Sequence, residues 1–107
     1  MRKGAVFYHN IKAGEICEHE NHYTFQYSEV YLSSESPKPV SLTLPIQPEA
    51  FENVQLFSFF DGLIPEGWLL NVAEKNWKLN ARDRMGLLLT CCKNTIGAVS
   101  VVREDNE

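Results

Sequence analysis

A chain of 107 residues, 44% hydrophobic and 22% charged, has the make-up of one globular domain, residues 1–107, with a modest core. Its formal charge of −4 argues against direct nucleic-acid binding, because neutralising phosphates needs a Lys/Arg surface. There is no apolar run near the ~20 residues of a membrane span and no signal-peptide core behind Met1-Arg2-Lys3, and the three Cys, two adjacent at 91–92, fit a reducing cytoplasm rather than a disulfide framework.

Ala5-Val6-Phe7-Tyr8 reads as a first strand, His9-Asn10 as its turn, and residues 11–17 as the returning strand, with Gly14 marking a bend or bulge. Tyr23-Thr24-Phe25-Gln26-Tyr27 alternates aromatic with polar, as a half-buried strand does, and Val30-Tyr31-Leu32 extends it. Residues 33–39 are rich in Ser and Pro and form a loop. Val40-Ser41-Leu42-Thr43-Leu44 alternates again as a strand that Pro45 ends. Residues 48–54 read as a short helix or turn, and residues 56–60 as a short helix leading into a longer one.

The stretch Phe59-Phe60-Asp61-Gly62-Leu63-Ile64-Pro65-Glu66-Gly67-Trp68 opens that longer helix. Pro65 suits a first helical turn, where its missing N–H costs little, and Glu66 suits the positive helix end. At about 100° per residue, Leu69, Leu70, Val72, Ala73 and Trp77 share one apolar stripe. Trp68 falls about 130° from the centre of that stripe, so the helix gives it no obvious place in the core. It packs under the loop of residues 33–39, or it is offered to a partner. Asn80 is placed to cap the next helix, whose Met85, Leu88, Leu89 and Cys92 share a face. Lys93-Asn94-Thr95 turns the chain into a β-branched strand over residues 96–102, and a charged tail ends the chain. Strands, then two or three helices, then a closing strand make an α+β fold: a small antiparallel or mixed sheet, or partial barrel, packed with helices.

Chemistry is sparse. Cys17, His19 and His22 are three metal-ligating types in one stretch, but a structural zinc site needs four, so a polar hairpin tip is the expectation. Cys91 and Cys92 end an apolar helix and read as packing rather than redox groups. Asp61, Glu66 and Glu74 are close in sequence, but spacing alone builds no acid/base pair. No phosphate-binding glycine loop, kinase catalytic loop or nucleophile elbow occurs, so neither an enzyme nor a cofactor is expected.

Five segments together resemble the N-terminal subdomain of HipA-type Ser/Thr kinases, the toxins of bacterial toxin–antitoxin modules. They are Phe25-Gln26-Tyr27, Val40-Ser41-Leu42-Thr43-Leu44-Pro45-Ile46, the stretch from Phe59 to Gly67, Gly86-Leu87-Leu88-Leu89, and Ile96-Gly97-Ala98-Val99. The family's usual Gly and Asp in the turn before the last motif are replaced here by Cys92 and Asn94. The family continues into a kinase core, whereas this chain looks like a stand-alone version similar to HipS.

That resemblance implies an antitoxin subunit that binds and inhibits a HipT-like Ser/Thr kinase, with a HipB-like DNA-binding protein as a further partner. The implied contact is Trp68, projecting into the kinase active site, with Gly67, Glu66, Pro65, Ile64, Leu63, Asp61 and Asn71 around it. A buried aromatic anchor is the usual form of an interface hot spot. Two other roles fit the same resemblance: an accessory subunit that completes the kinase, or a corepressor acting through the HipB-like protein.

Overall fold

A two-residue turn fixes the first hairpin. His9 and Asn10 adopt positive φ of 49° and 68°, the mirror-image turn whose twist matches that of the strands it joins. It connects β1 (Arg2–Tyr8) to β2 (Ile11–Glu18), which pair antiparallel from Arg2↔Glu18 to Tyr8↔Ile11. The computed structural model describes residues 1–64, 82–93 and 97–104. Among these, β3 (Tyr23–Tyr27), α1 (Glu29–Leu32), β4 (Phe51–Asn53), α2 (Ser58–Asp61), α3 (Arg84–Cys91) and β5 (Val99–Arg103) come next in chain order. The strands form one antiparallel sheet ordered β4-β3-β2-β1-β5, an α+β fold as expected.

The expected irregularity at Gly14 is present. The β1–β2 register shifts between Val6↔Gly14 and Phe7↔Lys12, which leaves Ala13 as the extra residue of a bulge. A Cβ on Gly14 would press on the Gln26 carbonyl and lie 3.0 Å from Tyr27 Cα, so the close approach of β3 requires glycine here.

One face of the sheet carries the core. The paired residues Gly4, Ile16, Phe25 and Phe51 form a row across four strands, and Val6 and Tyr27 extend the apolar face beside it. Phe25 sits at the centre, with ring centroids 4.9 Å from Tyr27, 5.4 Å from Phe60 and 6.3 Å from Phe51. Helix α3 lies on this face, and its Met85, Leu87 and Leu88 are fully buried. The expected stripe of Met85, Leu88, Leu89 and Cys92 is buried, and Leu87 joins it because the helix is covered on more than one side. Each such side chain contributes about 1.5–3 kcal/mol relative to exposure.

Four sequence expectations are corrected. Val30-Tyr31-Leu32 does not extend β3: the Ser28 side chain accepts from Tyr31 N at 3.2 Å, a local cap that starts α1 instead. Residues 48–54 are not helical, since Phe51 is drawn opposite Phe25 as β4. Helix α2 covers only Ser58–Asp61, not residues 56–60. Residues 40–44 form no strand but a turn bridged between Ser41 and Leu44. Alternation there would have buried Val40, Leu42 and Leu44 together, yet Leu42 is 96% exposed while Val40 and Leu44 are buried.

The cause of that last correction is Tyr27. Its phenol donates to the Leu44 carbonyl and accepts from Val40 N at 3.0 Å, which draws both ends of the turn to one point. Burial raises the phenol's pKa and keeps it protonated as the donor. Tyr31 stacks on Tyr27 at 6.0 Å and holds Lys38 through both its N–H and its carbonyl. The helix expected to open at Pro65 lies outside the described residues; the next helix is capped by Asp83 and not by Asn80, and the closing strand, expected over residues 96–102, is Val99–Arg103. Tyr27→Phe should keep the sheet but lower stability by about 1–3 kcal/mol, because it strands the buried Val40 N–H; urea unfolding monitored by circular dichroism measures this.

Candidate functional site

The sheet's core face ends in a polar row. Arg2, Glu18, Tyr23 and Asn53 stand opposite one another on β1 to β4, one pleat beyond the row containing Phe25. Arg2 Nε and Nη2 donate to the two Glu18 oxygens at 2.6 and 2.8 Å. The other side of the same guanidinium donates to Asp83 Oδ2 at 2.9 Å and Oδ1 at 2.8 Å. Asp83 also caps α3, accepting from Gly86 N at 3.1 Å. One planar fork thus ties the β1–β2 pair to the start of α3, a geometry that lysine cannot copy.

Helix α3 is tied a second time, by Arg84 Nε on Asp61 Oδ1 at 2.5 Å. Asp61 is the last residue of α2, so the two helix ends meet there. Between the polar row, residues 54–56, α2 and residues 82–84 lies an open cleft of about 730 Å³. Glu18, Tyr23, Asp61, Gly62 and Asp83 line it. Arg2, through hydrogen bonds above all, holds the Asp83 carboxyl below the usual carboxylate range. Asp83 is therefore a fixed carboxylate at neutral pH, not a proton donor, and it and Glu18 are both engaged by Arg2. The arrangement fixes the shape of a cleft mouth and does not pair an acid with a base.

Of the residues singled out from the sequence, Asp61 is half-buried at this mouth. Leu63 packs half-buried against the core, and Ile64 is buried within it at 6% exposure. Pro65, Glu66, Gly67, Trp68 and Asn71 lie outside the described residues. Cys17, His19 and His22 stand around the β2–β3 hairpin tip. The turn is closed by His19 N donating to the His22 carbonyl at 2.8 Å, and the two imidazoles stack at 4.6 Å. His19 Nε2 is engaged by Thr24 Oγ1 at 2.9 Å. Among the described residues no three His, Cys, Asp or Glu side chains gather to hold a metal ion. The described residues also contain no helix long and apolar enough to cross a membrane.

Sequence reasoning missed Arg2, Glu18 and Tyr23 and did not single out Asp83 as the cap. For Tyr23 a signal existed, since the alternation of β3 puts it on the face of Phe25 and Tyr27. For Arg2 there was none: its partner Asp83 is 81 positions away.

The architecture is α+β, one antiparallel sheet roofed on its core face by short helices. The HipA N-terminal domain family model matches residues 4–102, and the chain belongs to that family. It is 31% identical over 104 residues to an uncharacterized protein of Haemophilus influenzae, covering 97% of this chain and 94% of that one. It is also 31% identical over 83 residues to the putative kinase Y4mE of Sinorhizobium fredii, and the match spans only 20% of that protein. A solved structure of the N-terminal domain of HipA toxin superposes with a TM-score of 0.77 at 27% identity, over 100% of this chain and 96% of the other. The membership relates the chain to toxin–antitoxin proteins and to their non-catalytic N-terminal part.

The chemistry of these groups sets two expected outcomes. Because the folded pKa of Asp83 lies below its unfolded value of about 3.9, its contribution is complete well above that value and is lost as pH falls below it and through the lower folded pKa. Thermal melts between pH 7 and pH 3 should fall less steeply for Asp83→Asn than for the parent. Burial pushes the Cys91 and Cys92 thiols up to about 11. At pH 8 both should alkylate roughly a hundredfold more slowly in the native chain than in urea, as mass spectrometry would show, since only the thiolate reacts.

Proposed function

We propose that this chain is an antitoxin subunit that binds a HipT-like Ser/Thr kinase and inhibits it by occluding the kinase active site. The observation that carries the reading is the pair of relatives. The chain matches in sequence a fifth of a putative kinase and nearly the whole of the Haemophilus protein. A domain found both within a kinase-length chain and apart from one is suited to dock against a kinase in trans.

The contact proposed is residues 63–70 with Asp61 and Asn71, and Trp68 is the anchor. The described residues support it by giving that segment a firm base. Ile64 is set in the core, and Asp61 is held by Arg84. Gly67 beside the indole permits close approach of another backbone. A HipB-like DNA-binding protein would be a third component, since an acidic chain has little direct affinity for DNA, and the cytoplasm would be its place.

The test is autophosphorylation of a HipT-like kinase with and without the purified chain. Inhibition by the parent, weakened at least tenfold by Trp68→Ala with the fold intact, is the expected result, equal to a loss of about 1.4 kcal/mol or more. Stimulation of the kinase would instead identify an accessory subunit. Equal inhibition by parent and variant would remove Trp68 from the contact.

A further inference from the structure

The two edges of the sheet are treated differently. At β5 the edge is engaged at its middle, where Val101 N donates to the Cys92 carbonyl at 2.8 Å as the chain leaves α3. At the other side β4 pairs with β3 through Phe51↔Phe25, Thr24↔Glu52 and Tyr23↔Asn53. Among the described residues no backbone group bonds to its outer side. An open strand edge is a row of main-chain donors and acceptors that another strand satisfies.

Edges left open are usually blunted, and the shortness of β4 and its Glu52 are blunting devices. Its surroundings are not. Along the edge runs a groove of about 270 Å³ with Leu44, Phe51 and Phe57 in its walls. Next in the chain to Thr43, which lines the groove, is Leu42, the most exposed large apolar side chain of the described residues at 96%. It is no loose loop tip. Tyr27 ties residues 40 and 44 together, and Ser41 Oγ accepts from Thr43 N at 3.2 Å inside the turn. With the backbone of the turn held this firmly, little further ordering of the chain is needed when a partner covers Leu42.

Charge selects the occupant. Among the described residues Glu52 is the only charged one lining the groove, and its side chain is 70% exposed. Two copies of β4 pairing antiparallel about Glu52 would set like carboxylates directly opposite, which destabilises a strand pair. A second copy is thereby disfavoured, and a cationic segment is favoured. Side chains alternate across a strand, so a strand laid beside β4 sends one residue toward the Phe51 groove and the next to the side of Glu52.

We propose that the open edge of β4 is a second docking surface, which adds an extended segment of a partner protein with an apolar side chain in the Leu44–Phe51–Phe57 groove, flanked by Leu42, and a Lys or Arg beside Glu52. The surface uses none of the residues proposed for kinase occlusion and stands whichever way that reading falls.

The probe is the acetylated, amidated peptide Thr-Thr-Val-Lys-Val-Thr, titrated to millimolar concentration into the isotope-labelled full chain. Saturable shifts of the amides of residues 51–53 and of the Leu42 and Leu44 methyls are expected. Glu52→Lys should weaken this peptide at least fivefold and strengthen the version with Glu in place of Lys. Leu42→Asp, at a solvent-exposed site, should weaken both without changing the melting temperature. Backbone N-methylation on the edge-facing side of the peptide should abolish binding. No saturable shifts, shifts centred elsewhere, undiminished binding of the N-methylated peptide, or self-association through β4 unaltered by Glu52→Lys would each overturn the proposal.

Discussion

The fold depends on Phe25 and the apolar row in which it stands. A five-stranded sheet with one face to bury needs a roof, and the aromatic side chains of β3 set where that roof lies. Phe60 of α2 packs on Phe25 directly, and Phe51 is drawn into the sheet opposite it. The backbone must come close for this to work. Gly14 lets β3 lie against the bulge of β2, and a Cβ on Gly4 would lie 2.7 Å from Leu89 Cδ2 of α3. A larger side chain at Gly14 would force β3 away from β2, and one at Gly4 would require Leu89 and Val101 to shift.

The polar groups organise what burial alone leaves undecided. Apolar contact is non-directional and does not set the angle at which α3 leaves the sheet. The guanidinium of Arg2 does, since its two sides demand one carboxylate from β2 and one from the cap of α3. Half-exposed ion pairs of this kind add little net stability. Their effect is on geometry: they hold the mouth of the cleft at residues 61–62 and 82–84. Tyr27 acts in the same way on the other flank, where one phenol converts residues 40–44 from a strand into a turn that presents Leu42.

The described polar and thiol groups of this chain are held in structural contacts. The carboxylates at the cleft mouth are bound by arginines, and the Cys91 and Cys92 thiols are raised by burial out of the reactive range. Membership of the HipA N-terminal domain family agrees with this, because that domain is the part of the toxin that carries no catalytic residues. The two contacts proposed above, at the segment that Asp61 and Ile64 anchor and at the open edge of β4, use different residues.

Local pattern alone determined the first hairpin, the bulge at Gly14, the half-buried strand at residues 23–27 and the apolar helix around residues 85–92. Each of these is set by neighbours within a few positions: a turn with two residues of positive φ, alternation of period two, a stripe of period near 3.6. The five motifs that resemble the family were equally legible, because their order along the chain survives without any knowledge of contacts. Tertiary structure decided the rest. Residues 40–44 alternate like a strand and residues 30–32 look like one, but Tyr27 and the Ser28 cap impose other shapes. Phe51 becomes a strand residue only because Phe25 lies beside it, and Arg2 acquires a role only when folding brings Asp83 across 81 positions of chain. Those outcomes rest on long-range hydrogen bonds and burial, whose partners a linear pattern does not name.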